Sequence, residues 1–258
     1  MLTATLAVLV LAQCSLGLLM PEVYVDPAWI KAAWFSNDLV TLVVALPFLI
    51  VTSKLARQGS PRGFLVWVGV LGYCAYNYAY YLLGVALNAF FSIYVIALGV
   101  SAVALILALS RANVAELAAS FRNRAPMRIV SGYLIFVGAG LACAWLATWA
   151  AHFFTGKPTP VAPEAFKLVA ALDLSLMVPM LVTGGILLWR KQAWGYVIAT
   201  IASVQGALYL AVLSTSSLVA IQRTLVKAPG EVPMWRALAL LMGASAVVLV
   251  RDVRPVQE

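Results

Sequence analysis

The chain is short of charge, of histidine and of cysteine, and each shortage removes a class of function. Only 10% of its 258 residues are Asp, Glu, Lys or Arg, where a soluble domain carries roughly a quarter. One histidine, His152, and three cysteines without CxxC spacing, Cys14, Cys74 and Cys143, leave neither a structural zinc site nor a bis-histidine haem. The cysteines fall inside apolar runs and read as small packing residues. There is no HExxH, no GxSxG, no DDxxD-like acidic cluster and no glycine-rich phosphate loop, so enzyme chemistry has little to stand on and no catalytic or metal-ligating set can be named. No lysine lies mid-span, which excludes a retinal Schiff base. The net charge of +8 does not point to nucleic acid, because the basic residues sit in short loops and not on one patch. No loop is long enough to hold a soluble domain.

What the chain has in abundance is apolar residue: 64% of the total, with a mean hydropathy of +0.99. The apolar runs are each long enough to cross a bilayer, which takes about 20 residues. Spans are predicted at 3–20, 35–53, 63–83, 88–109, 129–153, 168–189, 193–217 and 234–250. The fold class is therefore all-α: a polytopic integral membrane protein with eight transmembrane helices, whose first partner is the lipid bilayer. The 17 basic residues divide eleven to six between the two sides. Lys54, Arg57, Arg62, Arg111, Arg122, Arg124, Arg128, Arg190, Lys191, Arg251 and Arg254 fall on one side. Lys31, Lys157, Lys167, Arg223, Lys227 and Arg236 fall on the other. Positive residues favour the cytoplasm, so both termini are expected inside, in a bacterial plasma (inner) membrane. The first span lacks a basic leader and a small-x-small cleavage site, and Gln13 is wrong for the position before a lipoprotein cysteine, so it reads as an uncleaved helix.

Between the spans, Asp26 is expected to cap a helix with Pro27 at its first position, and Trp29 and Trp34 suit the headgroup boundary. Val114, Leu117, Ala118 and Phe121 form one stripe in the connector 111–128. That segment reads either as a helix lying on the cytoplasmic interface or as a solvated linker.

Two carboxylates stand inside apolar runs. Lys54 follows Asp38 by sixteen residues and Arg190 follows Asp173 by seventeen. At about 1.5 Å per residue this predicts nearly equal depths, roughly 6–8 Å below the outer boundary. Each is followed by leucine and then by a helix proline, Pro47 or Pro179. Gly63 and Gly195 open spans three and seven, and "LGVSAVAL" (98–105) matches "MGASAVVL" (242–249) at five of eight positions. These echoes predict two parallel four-helix repeats, residues 1–110 and 129–258, about an axis along the membrane normal. Capping by Asp38 or pairing of Asp173 with Lys167 are the plainer explanations of the two acids.

In this reading Asp38 and Asp173 face one outward polar cavity. Tyr73, Tyr76, Asn77 and Tyr80 share a helical stripe; Asn88, Tyr94, Gln205 and Tyr209 complete the candidate ligand-binding set, while Tyr78 and Tyr81 are expected to point toward the headgroups. Intramembrane ionisable groups usually face a bundle interior or a wet cavity, which suits binding or transport of a small solute or cation. The alternatives are an accessory or assembly subunit of a larger membrane complex, and a membrane-embedded lipid enzyme. Protein partners or a homo-oligomer fit the second reading, and the sequence names no cofactor.

Overall fold

A computed structural model describes residues 1–122, 126–225 and 231–254; Arg124 and Lys227 lie outside them. The chain is helical almost throughout. Its elements are α1 (Leu2–Leu19), α2 (Ala28–Arg57), α3 (Pro61–Gly84), α4 (Phe91–Ser110), the short α5 (Val114–Ala119), α6 (Met127–Thr155), α7 (Pro163–Trp189), α8 (Ala193–Gln222) and α9 (Glu231–Asp252). Among the described residues a 3-10 turn, Pro21–Val23, stands between α1 and α2, and the one β-type pairing is an isolated bridge between Phe121 and Val253. Apolar sequence in lipid must satisfy every backbone polar group internally, and the helix does so.

Seven of these helices are long and apolar enough to cross a membrane. α3 is not among them, although it is 24 residues long. Its composition explains the difference from the expected eight: Tyr73, Tyr76, Tyr78, Tyr80, Tyr81 and Asn77 lower its hydropathy. α3 lies against α8, and these two form the middle of the bundle. In α8, 72% of the apolar window is buried, against 22% in α6 and in α9, so the latter pair stands at the perimeter. There Ile129, Phe136 and Leu240 are exposed, as apolar side chains facing lipid can be at no cost. α3 meets α8 where Gly69 faces Val204 and Gly72 faces Gln205. One apolar core gathers α1, α2 and α4 on one side of this pair, and a second gathers α6, α7 and α9 on the other.

α2 and α7 are built alike at a constant spacing. Each contains one π-helical turn, Thr41–Ala45 and Asp173–Met177, followed by a proline, from 47 to 179. Each ends in a turn with a left-handed residue, Gly59 (φ 80°) and Lys191 (φ 54°). Ser60 N–H donates to Leu55 O at 3.0 Å and Gln192 N–H to Leu187 O at 2.9 Å, the bond that closes a Schellman turn. Then Gly63 and Gly195 let the next helix pass against the one before; a Cβ on Gly195 would overlap the backbone of Leu187 and Leu188. From 41 to 173, 47 to 179, 59 to 191 and 63 to 195 the interval is the same, and it pairs Asp173 with Thr41, three residues beyond Asp38.

Several local expectations change. Asp26 does not cap α2, whose N-cap is Pro27; its Oδ1 accepts from Ala86 N–H at 3.1 Å and ties two loops together. Trp34 is 1% exposed, in the core, because Tyr80 and Tyr81 supply ring partners at 5.0 and 5.2 Å. The stripe of α5 turns onto the protein, with Phe121 buried against Tyr196 at 4.7 Å between ring centroids. The connector is further tied down by Arg122 N–H donating to Asp252 O (2.9 Å) and Arg254 N–H donating to Ser120 O (2.8 Å).

Candidate functional site: two carboxylate nodes and the cavity between their helices

Asp38 is fully buried one turn before the π segment of α2. Its Oδ1 accepts from Gln13 Nε2 at 2.8 Å and from Tyr81 Oη at 2.6 Å, and its Oδ2 accepts from Tyr24 Oη at 2.7 Å. These are lengths of charge-assisted bonds, and all three donors are neutral. Gln13 also donates to Tyr24 Oη at 3.0 Å and accepts from Tyr78 Oη at 3.3 Å. Tyr24 lies in the loop between α1 and α2, where burial, with the Asp38 carboxylate second, pushes its phenol well above the ordinary value. Gly17 completes the node from α1: any Cβ there would overlap Asp38 Oδ2. Tyr94 stacks on Tyr81 with centroids 5.1 Å apart at 15°.

Asp173, 1% exposed, opens the π segment of α7. Its Oδ1 accepts from Tyr76 Oη at 2.6 Å and its Oδ2 from Trp145 Nε1 at 2.9 Å. Tyr209 stands edge-on to Tyr76, with centroids 5.4 Å apart at 71°. These donors are distinct from those on Asp38. Each acid is held in its own node, and what the opening run of α7 buries its aspartate against is tyrosine and indole, not the other carboxylate.

Between α2, α3, α7 and α8 lies a small, largely enclosed cavity of about 80 Å³, walled by Asn37, Tyr73, Tyr76, Asn77, Tyr80 and Tyr209 with apolar neighbours. Neither carboxylate lines it. Thr41, the first residue of the α2 π segment, anchors part of its wall: Thr41 Oγ1 and Tyr73 Oη are 2.7 Å apart, Tyr73 Oη donates to Asn37 Oδ1 at 3.3 Å, and Asn77 Nδ2 donates to Thr41 Oγ1 at 3.4 Å.

The candidate set thus divides. Tyr76, Asn77, Tyr80 and Tyr209 surround the cavity, and Asp173 joins it through Tyr76. Asp38 and Tyr94 belong to the other node. Asn88 heads α4, where its Oδ1 accepts from Phe90 N–H at 2.8 Å. Gln205 is buried one turn from Tyr209, its Oε1 lying over Gly72. Sequence reasoning missed Gln13, Tyr24, Tyr81 and Trp145. The available signal for Gln13 was its place as an amide deep in an otherwise apolar helix; Trp145 gave none, since an indole in a span is ordinary. Among the described residues, no cluster of three or more His, Cys, Asp or Glu could hold a metal ion. Chemically, the site offers hydroxyl and amide contacts to a small guest, with a carboxylate one hydrogen bond behind the wall. Comparison with protein-family models, with curated proteins and with solved structures gave no match.

Proposed function

We propose that this multi-pass membrane protein binds a small neutral or cationic solute in the cavity between α2, α3, α7 and α8, and passes it across the bilayer. The observation that carries the reading is the double position of Tyr76. Its ring walls the cavity while its hydroxyl donates to Asp173 at 2.6 Å. A guest that hydrogen-bonds Tyr76 competes with that carboxylate, so occupancy is felt at Asp173 and through it by the backbone of α7. The volume, about 80 Å³, corresponds to a few water molecules, each needing roughly 10–15 Å³ on this measure. The closed conformation therefore suits a guest of a few heavy atoms, with aromatic faces for a cation.

The π segments support the same reading. Such turns interrupt the regular backbone ladder and recur at functional sites. Pro47 and Pro179 then each remove one further backbone donor. The outer parts of α2 and α7 are thereby joined to their inner parts through a weakened stretch, and movement there opens the cavity. In this proposal the halves 1–110 and 129–258 are structural repeats joined by 111–128, and the membrane is a plasma membrane with both termini inside. The constant spacing between π turns, prolines and inner turns supports the repeat, and the eleven-to-six division of basic residues supports the orientation.

The test is uptake and binding of small amines and neutral solutes by protein in liposomes, comparing Asp173→Asn and Tyr76→Phe with the parent. Uptake is expected to fall at least tenfold in both while the variants stay folded. Unchanged uptake of a transported solute in both variants refutes the role of this cavity.

A further inference from the structure

Away from the solute cavity and independent of it, on the side that the proposed orientation makes inner, a second opening lies between α1, α2, α3 and α4. It holds about 460 Å³ and is walled by Phe64, Trp67, Leu107 and Ser53, with Arg57 and Arg111 at its rim. A neighbouring recess of about 300 Å³ shares Phe64 and Arg111 and adds Glu116. The two guanidiniums come from the ends of different helices, α2 and α4, so they converge only in the folded chain. Trp67 Nε1 is buried without a hydrogen-bond partner.

The other half of the molecule shows what such a place contains when it is filled. At the shared spacing, Phe64 corresponds to Tyr196. Tyr196 is covered by Phe121 from the connector, and Phe121 is buried against it. Phe64 has no such cover and faces the open crevice. An apolar group supplied by the chain closes one half, and the equivalent surface in the other half is left with arginines at its mouth.

We infer that this crevice binds an anionic phospholipid of the inner leaflet, its phosphate on Arg57 and Arg111 and an acyl chain against Phe64, Trp67 and Leu107. Charge selects the occupant: the larger opening has two cationic side chains and no acidic one in its lining, so an anionic headgroup is favoured over a zwitterionic one, and the apolar depth requires a tail. Guanidinium groups bind phosphate through paired N–H donors.

The experiment is native mass spectrometry of the full chain released from detergent and titrated with phosphatidylglycerol, phosphatidylcholine of the same acyl chains, and glycerol phosphate. Phosphatidylglycerol is expected to bind at least tenfold more tightly than phosphatidylcholine, and glycerol phosphate not to compete. Arg57→Gln with Arg111→Gln should lose that preference, whereas Arg190→Gln with Lys191→Gln, equal in charge lost, should keep it. Leu107→Trp, which fills the crevice and leaves both arginines, should weaken binding of both lipids. Equal affinity for the two lipids, an equal effect of the two double variants, or unchanged binding in Leu107→Trp overturns the proposal. Competition by glycerol phosphate assigns the arginines to a free phosphate and overturns it too.

Discussion

Replacing Asp38 tests whether its node holds the first core together. Alanine at 38 removes the acceptor of Gln13, Tyr24 and Tyr81 at once. Gln13 keeps Tyr24 Oη as an acceptor at 3.0 Å, so two buried hydroxyls lose their partner. At about 1–3 kcal/mol for each buried donor left unsatisfied, the loss is about 2–6 kcal/mol. Asparagine costs about half as much. Its amide oxygen occupies the Oδ1 position and keeps Gln13 and Tyr81, while its NH₂ group faces Tyr24 and cannot accept the phenol proton, so the Tyr24 O–H alone loses its acceptor. That is about 1–3 kcal/mol. With roughly 2–4 °C of Tm per kcal/mol for a chain of this size, asparagine lowers the melting temperature by about 5 °C and alanine by about 10 °C. Buried Cys14 and Cys74 supply the assay: a thiol-reactive fluorogenic dye follows their exposure on heating, in a Cys143→Ser background because Cys143 is already exposed. Melting of Asp38→Ala within a degree or two of Asp38→Asn refutes the idea that the three donors depend on that carboxylate.

Lys191 has φ 54° where its counterpart is a glycine, so Lys191→Gly should raise stability by about 1 kcal/mol in the same assay, since the left-handed region costs a residue with Cβ about that much. Gly195→Ala should unfold the α7–α8 turn by backbone overlap, whereas Gly243→Ala, with open space around it, should be close to neutral; protein yield and melting temperature distinguish them. Phe121→Ala should cost about 3–5 kcal/mol by emptying the contact with Tyr196, and faster hydrogen exchange at Val114–Ala119 would report the loosened connector.

The membrane class was legible because it depends on bulk composition, which no packing detail alters. The positions of the long helices were legible for the same reason, and Pro61–Gly84 shows the limit: five tyrosines make it the least apolar helix while its neighbours bury it. The nodes were half legible. A carboxylate in an apolar run announces that it needs donors, but several sets of tyrosines on one helix can supply them. Tyr76 and Tyr81 are five residues apart on α3 and reach different aspartates, and no periodicity assigns which goes where. The interval differs at the aspartates for a related reason. Asp38 and Asp173 are 135 residues apart, while the prolines, the turns that end α2 and α7 and the π segments keep 132, so a chemical likeness between the two acids hides that this interval leads from Asp173 to Thr41.

That three-residue difference separates the consequences of the two acids. Asp38 lies before the π turn of α2, braced by α1, by the Tyr24 loop and by α3, so its bonds join elements that must move together. Asp173 is the first residue of the π turn of α7 itself, and its donors at 2.6 and 2.9 Å come from α3 and α6. Bending at 173–179 changes the geometry of its hydrogen bonds directly, whereas bending at 41–47 leaves the Asp38 node intact on the N-terminal side of the turn. Thr41 carries the corresponding duty in α2, through the hydroxyl and amide contacts to Tyr73, Asn37 and Asn77. The two π turns are thus held by unlike contacts, neutral at Thr41 and a carboxylate at Asp173. In the proposed function a guest in the cavity touches both, because Tyr73 and Asn77 lead to one and Tyr76 leads to the other.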